Sequence, residues 1–146
     1  MRYHITLAIA VLGTVFSAFS ASAEDIRILD AFARSSSPNA MAGAAFMEIR
    51  NGGTTDDRLV AASSPMAKLV ELHSHREDSS GVMRMIDEKD GFPIPAGKSL
   101  HLKRGGLHIM FMGLVEPFDD GKNIPITLIF EKAGHLETAI PVDLNR

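Results

Sequence analysis

The sequence predicts an all-β fold, a two-sheet sandwich or Greek-key barrel, and three observations carry that expectation. From Ile26 onward the chain reads as short segments of strand character in which apolar and polar residues alternate. No amphipathic stretch at helical period runs longer than about ten residues. The breaks fall at Asn51-Gly52-Gly53, Pro93-Ile94-Pro95-Ala96-Gly97, Arg104-Gly105-Gly106, Asp119-Asp120-Gly121 and Lys132-Ala133-Gly134, where Gly supplies positive φ and Pro a fixed φ.

Taken in order, residues 1–23 come first and stand apart. They combine a basic start at Arg2, an apolar stretch from Ile5 to Phe19, and Ala21-Ser22-Ala23 ahead of Glu24-Asp25. This is the pattern of a cleaved secretory signal, and its apolar stretch is too short for a comfortable membrane span. The mature chain is expected to cover residues 24–146, with no membrane span of its own. Its formal charge moves from −3 to −4, because the signal carries one Arg and no acid. Nothing in an acidic balance of this size suggests nucleic acid or an anionic membrane surface as a partner.

Nine strands are expected, over residues 26–32, 43–49, 58–63, 69–75, 82–87, 99–103, 107–114, 124–131 and 135–142. Ser35-Ser36-Ser37-Pro38-Asn39 is a loop, since strand pattern continues on both sides of it. At 146 residues the chain can bury one ordinary core. A single domain follows, and a monomer is expected. There is no cysteine, so the fold stands on that core without disulfides, and thiolate catalysis and the cysteine ligand of a blue-copper electron carrier are both excluded.

The chemistry concentrates between Glu71 and Leu114, where four of the eight methionines and four of the six histidines fall within 44 residues. In a strand, side chains at i, i+2 and i+4 share a face. Within Leu107-His108-Ile109-Met110-Phe111-Met112, the residues His108, Met110 and Met112 therefore face one way and Leu107, Ile109 and Phe111 the other. By the same rule Met83 and Met85 share a face, as do Glu71, His73 and His75. Thioethers and imidazoles without thiolate form a soft, neutral donor set that favours Cu(I) over Zn(II), Mg(II) or Mn(II).

At these residues the chain resembles the periplasmic copper chaperone family PCu(A)C. That family's pattern is a His, ten residues, a Met, twenty-one residues and His-x-Met, whereas here 11 residues separate His73 from Met85 and 22 separate Met85 from His108. The extra residues are expected in the turns at residues 77–81 and 88–92, where an insertion leaves strand register intact. The likeness extends to Asp30-Ala31-Phe32-Ala33-Arg34, Gly43-Ala44-Ala45-Phe46-Met47, Asp57-Arg58-Leu59-Val60-Ala61-Ala62-Ser63-Ser64-Pro65 and Ile94-Pro95-Ala96-Gly97.

The resemblance implies a cupredoxin-like Greek-key β-sandwich that holds Cu(I) through His73, Met85, His108 and Met110. It further implies a non-catalytic periplasmic protein delivering Cu(I) to the dinuclear copper centre of cytochrome c oxidase subunit II, with a Sco-type protein as a further partner. Some family members bind a second, oxidised copper on a His- and Met-rich tail. This chain ends Pro141-Val142-Asp143-Leu144-Asn145-Arg146, so no tail-borne site is expected.

Other residues have plainer readings. His75 is either an additional imidazole that helps Cu(II) bind or a solvated residue past the strand end. Met83 replaces Met85 under a shifted register, Met112 packs beside the site, and Glu71 orients an imidazole or is simply an exposed acid. Met41, Met47 and Met66 are expected as core fillers, His101 and His135 as exposed strand residues, while His4 lies in the signal. The rival functions are copper storage or resistance, a cupin-type metalloenzyme built on His73-Ser74-His75, and a metal-free immunoglobulin-like module. The cupin spacing fails at Glu77 and Gly81 and leaves Met85 and Met110 without a role.

Overall fold

The computed structural model describes residues 23–146. The signal expected over residues 1–23 lies outside the described residues apart from Ala23, which begins a single 3-10 turn, Ala23–Asp25. Ten strands follow: β1 Ile26–Ser35, β2 Ala42–Asn51, β3 Asp57–Ser63, β4 Ala67–Glu77, β5 Met83–Asp87, β6 Phe92–Ile94, β7 Ser99–Leu102, β8 His108–Leu114, β9 Asn123–Phe130 and β10 Gly134–Pro141. They form two antiparallel sheets, a cupredoxin-like sandwich. One has the order β1-β2-β8-β4-β5 with β7 also paired to β2, and the other has the order β10-β9-β3-β6.

The core lies between the sheets and comes from one face of each strand. From the first sheet it takes Ile49, Leu72, Ile109 and Phe111, and from the second Leu59, Ile94, Ile126, Leu128 and Ile140. Phe118, from the loop after β8, packs edge-on against Phe111 with ring centroids 5.5 Å apart. Because alternate residues of a strand point oppositely, each inward side chain on β4 and β8 commits its neighbours to the outer face of the first sheet. That face carries the site.

Two local devices set the shape. Asp30 has a φ of 50° where the β1–β2 register shifts between Leu29 and Phe32, a bulge that bends β1. Gly91, at φ +70°, sits where an added Cβ would lie 2.1 Å from the Leu59 carbonyl oxygen. Only glycine fits that turn between β5 and β6.

Three expectations change. Phe92–Ile94 was expected within a break but forms β6, pairing with β3 through Asp57↔Ile94, Arg58↔Pro93 and Leu59↔Phe92. Pro93 is tolerated because β6 is the last strand of its sheet, where a missing N–H costs no ladder bond on the open side. Met41 is 65% exposed rather than a core filler, since it stands at the corner before β2 and contributes its carbonyl to Leu114 N–H; Met47 and Met66 are buried. Finally, β4 runs on to Glu77, so His75 is inside the strand and not past its end.

Candidate metal centre

Strand register assembles the site. Across β4 and β8, His73 lies opposite His108, Glu71 opposite Met110 and Leu69 opposite Met112. Across β4 and β5, His75 lies opposite Met85, His73 opposite Asp87 and Glu77 opposite Met83. On the other side of β8, β2 sets Ala44 against Met110 and Ala42 against Met112. Directly paired residues project to the same face, so the three histidines and the methionines of two strands meet on one outer surface.

A cavity of about 220 Å³ opens there, lined by Ala44, Phe46, His75, Met85, Arg104, Gly105, His108 and Met110. It gathers Met85, His108 and Met110 together with His75. His73 stands beside it, its ring edge-on to His108 at 5.8 Å, while His75 stacks on His108 at 5.0 Å. Met83 is at the far end of the β4–β5 ladder opposite Glu77, and Met112 is opposite Leu69, one step beyond Met110; neither lines the cavity.

His108 is prepared as a neutral donor. His108 is 2% exposed, and burial, opposed by its hydrogen bond to Gly106 and reinforced by His75 and His73, holds its pKa below the ordinary imidazole value. Its Nδ1 lies 3.0 Å from the Gly106 carbonyl oxygen. A carbonyl only accepts, so Nδ1 carries the proton and Nε2 keeps its lone pair. His73 Nε2 lies 2.8 Å from Glu71 Oε2, an arrangement in which the carboxylate accepts and Nδ1 of the ring is left unprotonated. Among the described residues, His73 Nδ1 and His75 Nδ1 are the two buried side-chain nitrogens or oxygens that have no hydrogen-bond partner. Buried polar atoms ordinarily have partners, and two orphaned ring nitrogens beside thioether sulfurs fit a metal ion.

The surroundings restrict access to one side. Phe46 covers His108 at 6.2 Å between ring centroids and is itself packed on Phe32 at 5.2 Å. Met85, 47% exposed, lies on β5, the outermost strand of its sheet. Phe46 and Arg104 went unrecognised in the sequence as site residues. Phe46 is brought to the cavity by the pairing of β2 with β8, which no local pattern signals, while Arg104 comes from the turn that precedes β8.

A two-sheet antiparallel sandwich bearing a histidine and methionine cluster on one outer face is the fold shared with solved PCuAC domains. The chain belongs to the LpqE-like lipoprotein family, whose sequence profile matches residues 26–142. It is 40% identical over 99 residues to the lipoprotein-class protein Lxx21020 of Leifsonia xyli subsp. xyli (strain CTCB07), an alignment covering 68% of this chain and 59% of that protein. The chain thus spans about three fifths of the length of that curated relative. Among solved structures, the copper-bound PCuAC domain from PmoF2 shares the fold at a TM-score of 0.67 and 21% identity, over 82% of this chain and 93% of that one. The apo form of DR1885 from Deinococcus radiodurans aligns at a TM-score of 0.64 and 28% identity, over 99% and 95% of the two chains. Its CuI form aligns at 0.62 and 28% identity, over 84% and 83%. Among the described residues no helix is long and apolar enough to cross a membrane.

Proposed function

We propose that this chain is an exported, non-catalytic copper chaperone that binds one Cu(I) at Met85, His108 and Met110, with an imidazole from β4 completing the set. The observation that carries this reading is the pair of orphaned imidazole nitrogens, His73 Nδ1 and His75 Nδ1, beside a cavity lined by two thioethers and His108. Soft neutral donors of this kind suit Cu(I) and poorly suit hard divalent ions. His73 is the β4 ligand that the sequence resemblance supports, and His75 is the one the cavity supports. Alanine at each position separately decides between them by the loss of Cu(I) affinity.

Delivery follows from charge and position. Neutral ligands leave the positive charge of Cu(I) uncompensated, so an acceptor with thiolate sulfur offers both a softer donor and an opposite charge. Met85 on an outermost strand leaves an approach by which an incoming sulfur can join before the last donor ligand departs. The acceptor in this reading is the cysteine-containing dinuclear copper site of cytochrome c oxidase subunit II, with a Sco-type protein alongside, in the periplasm after removal of residues 1–23. A cupin-type enzyme fits less well, since Ser74 between the two histidines turns to the opposite side, buried and bonded to Glu88 at 2.5 Å, and the histidines lie on an outer sheet face.

The test is to load the mature protein anaerobically with Cu(I), desalt it, and mix it with the reduced soluble domain of oxidase subunit II. One retained copper that then moves to the acceptor is the expected result. Copper that is retained but does not move favours storage or resistance; no retained copper overturns the reading.

A further inference from the structure

Next to the thioether cavity, the same sheet face carries a second donor set of different chemistry. Glu71, His73 and Asp87 each bring a ligand atom to within 4.8 Å of the other two. Their convergence is a product of register: Glu71 and His73 are two apart on β4, and Asp87 lies directly opposite His73 across the β4–β5 ladder. His73 is 8% exposed and carries one ring nitrogen that has no partner. Glu71 holds the other ring nitrogen at 2.8 Å.

We propose that Glu71, His73 and Asp87 form a second metal site, distinct from the thioether cavity, for a borderline divalent transition ion, Zn(II) or Cu(II). Three protein ligands with a remaining open position is a common arrangement for zinc. Two carboxylates compensate the charge of a dication, as the neutral thioether cavity cannot. An imidazole among so few oxygens argues against Ca(II) and Mg(II), which take six or more oxygen ligands, waters included. The two sets share one wall, because His73 and His108 are paired across β4 and β8. Soft and hard donors therefore lie side by side on a single face, and the face sorts metals by oxidation state and softness. With His73 engaged by the carboxylates, His75 is the imidazole that faces the cavity. This inference rests on the carboxylate geometry and on the form of the Cu(I) reading in which His75, which lines the cavity, is the β4 ligand.

Zn(II), which is redox-silent, is the probe. The metal-free mature chain, Asp87→Asn and Met110→Leu are each titrated with Zn(II) by equilibrium dialysis, and the same three are titrated with Cu(I). Asp87 is exposed, so its substitution leaves the core untouched. Asp87→Asn is expected to weaken Zn(II) by roughly 10–100-fold and to leave Cu(I) unchanged; Met110→Leu is expected to do the reverse. X-ray absorption of the zinc form is expected to show nitrogen and oxygen neighbours only. Equal zinc affinity in the wild type and Asp87→Asn, zinc loss in Met110→Leu, or sulfur in the zinc spectrum would each overturn the second site. Loss of both metals in a folded Asp87→Asn protein would mean a single site and would overturn it too. Failure of Cu(I) to bind the wild type bears only on the proposed chaperone function.

Discussion

The imidazole of His108 stacks on that of His75 with centroids 5.0 Å apart and planes 25° from parallel, although its partner across the β4–β8 ladder is His73. Both β4 histidines thus reach the same buried ring. Burial first, and the neighbouring rings of His75 and His73 after it, hold the pKa of His108 below the ordinary imidazole value, which leaves its Nε2 lone pair free for a metal.

Replacing Met110 by Leu deletes a sulfur and keeps apolar volume, so the fold is expected to lose less than about 1.5 kcal/mol. Circular dichroism is expected to be unchanged, while X-ray absorption of the Cu(I) form shows one fewer sulfur neighbour. An unaltered sulfur count would take Met110 out of the site.

Met85 and Met83 lie on the same strand face, yet only Met85 lines the cavity, because His75 opposes Met85 and Glu77 opposes Met83. Cu(I) affinity is expected to fall by roughly tenfold or more in Met85→Leu and to hold in Met83→Leu. Competition titrations against a Cu(I) chelator measure both, and the opposite ranking would show the β4–β5 register to be displaced by two residues.

Acid is expected to destabilise the metal-free protein through His108. Its folded pKa lies below the ordinary imidazole value, chiefly from burial, so the unfolded chain takes up the proton first. That contribution is present in full above about pH 6.5, the unfolded value, and is lost as the pH falls below it and down through the folded value. Urea midpoints between pH 8 and pH 5 should therefore fall, and His108→Gln should flatten the dependence. A wild-type midpoint that rises on acidification would contradict this account.

Asp78 ties the β4–β5 turn. Its Oδ1 accepts from Ser80 Oγ at 2.6 Å, Ser80 N at 2.9 Å and Val82 N at 3.1 Å, and Oδ2 accepts from Arg84 Nε at 2.6 Å. The Ser80 hydroxyl first, then Arg84 and the backbone amides, hold its carboxyl well below the usual carboxylate range. Asp78→Ala is expected to speed amide exchange across β5 and to weaken Cu(I) binding, because the hairpin positions Met85 against His75. Exchange in β9, which belongs to the other sheet, should not change; equal acceleration there would indicate general loosening.

Much of this protein was determined locally. Alternation in Leu107 to Met112 places Ile109 and Phe111 in the core and His108, Met110 and Met112 on the outer face, because a strand's side-chain period of two is a property of the backbone alone. Turn chemistry at Arg104-Gly105-Gly106 and Asp119-Asp120-Gly121 marks the breaks between β7 and β8 and between β8 and β9 from equally local causes. What the tertiary structure decided was adjacency. That His75 opposes Met85, that His73 falls between His108 and Asp87, and that Phe46 closes over His108 depend on which strands pair and in what register. Pairing is fixed by packing the whole sandwich, through contacts between residues far apart in sequence. Pro93 entering an edge strand and Met41 left exposed at a corner follow from the same cause. A residue's own pattern specifies which way it points, and only its neighbours across the sheet specify what it meets there.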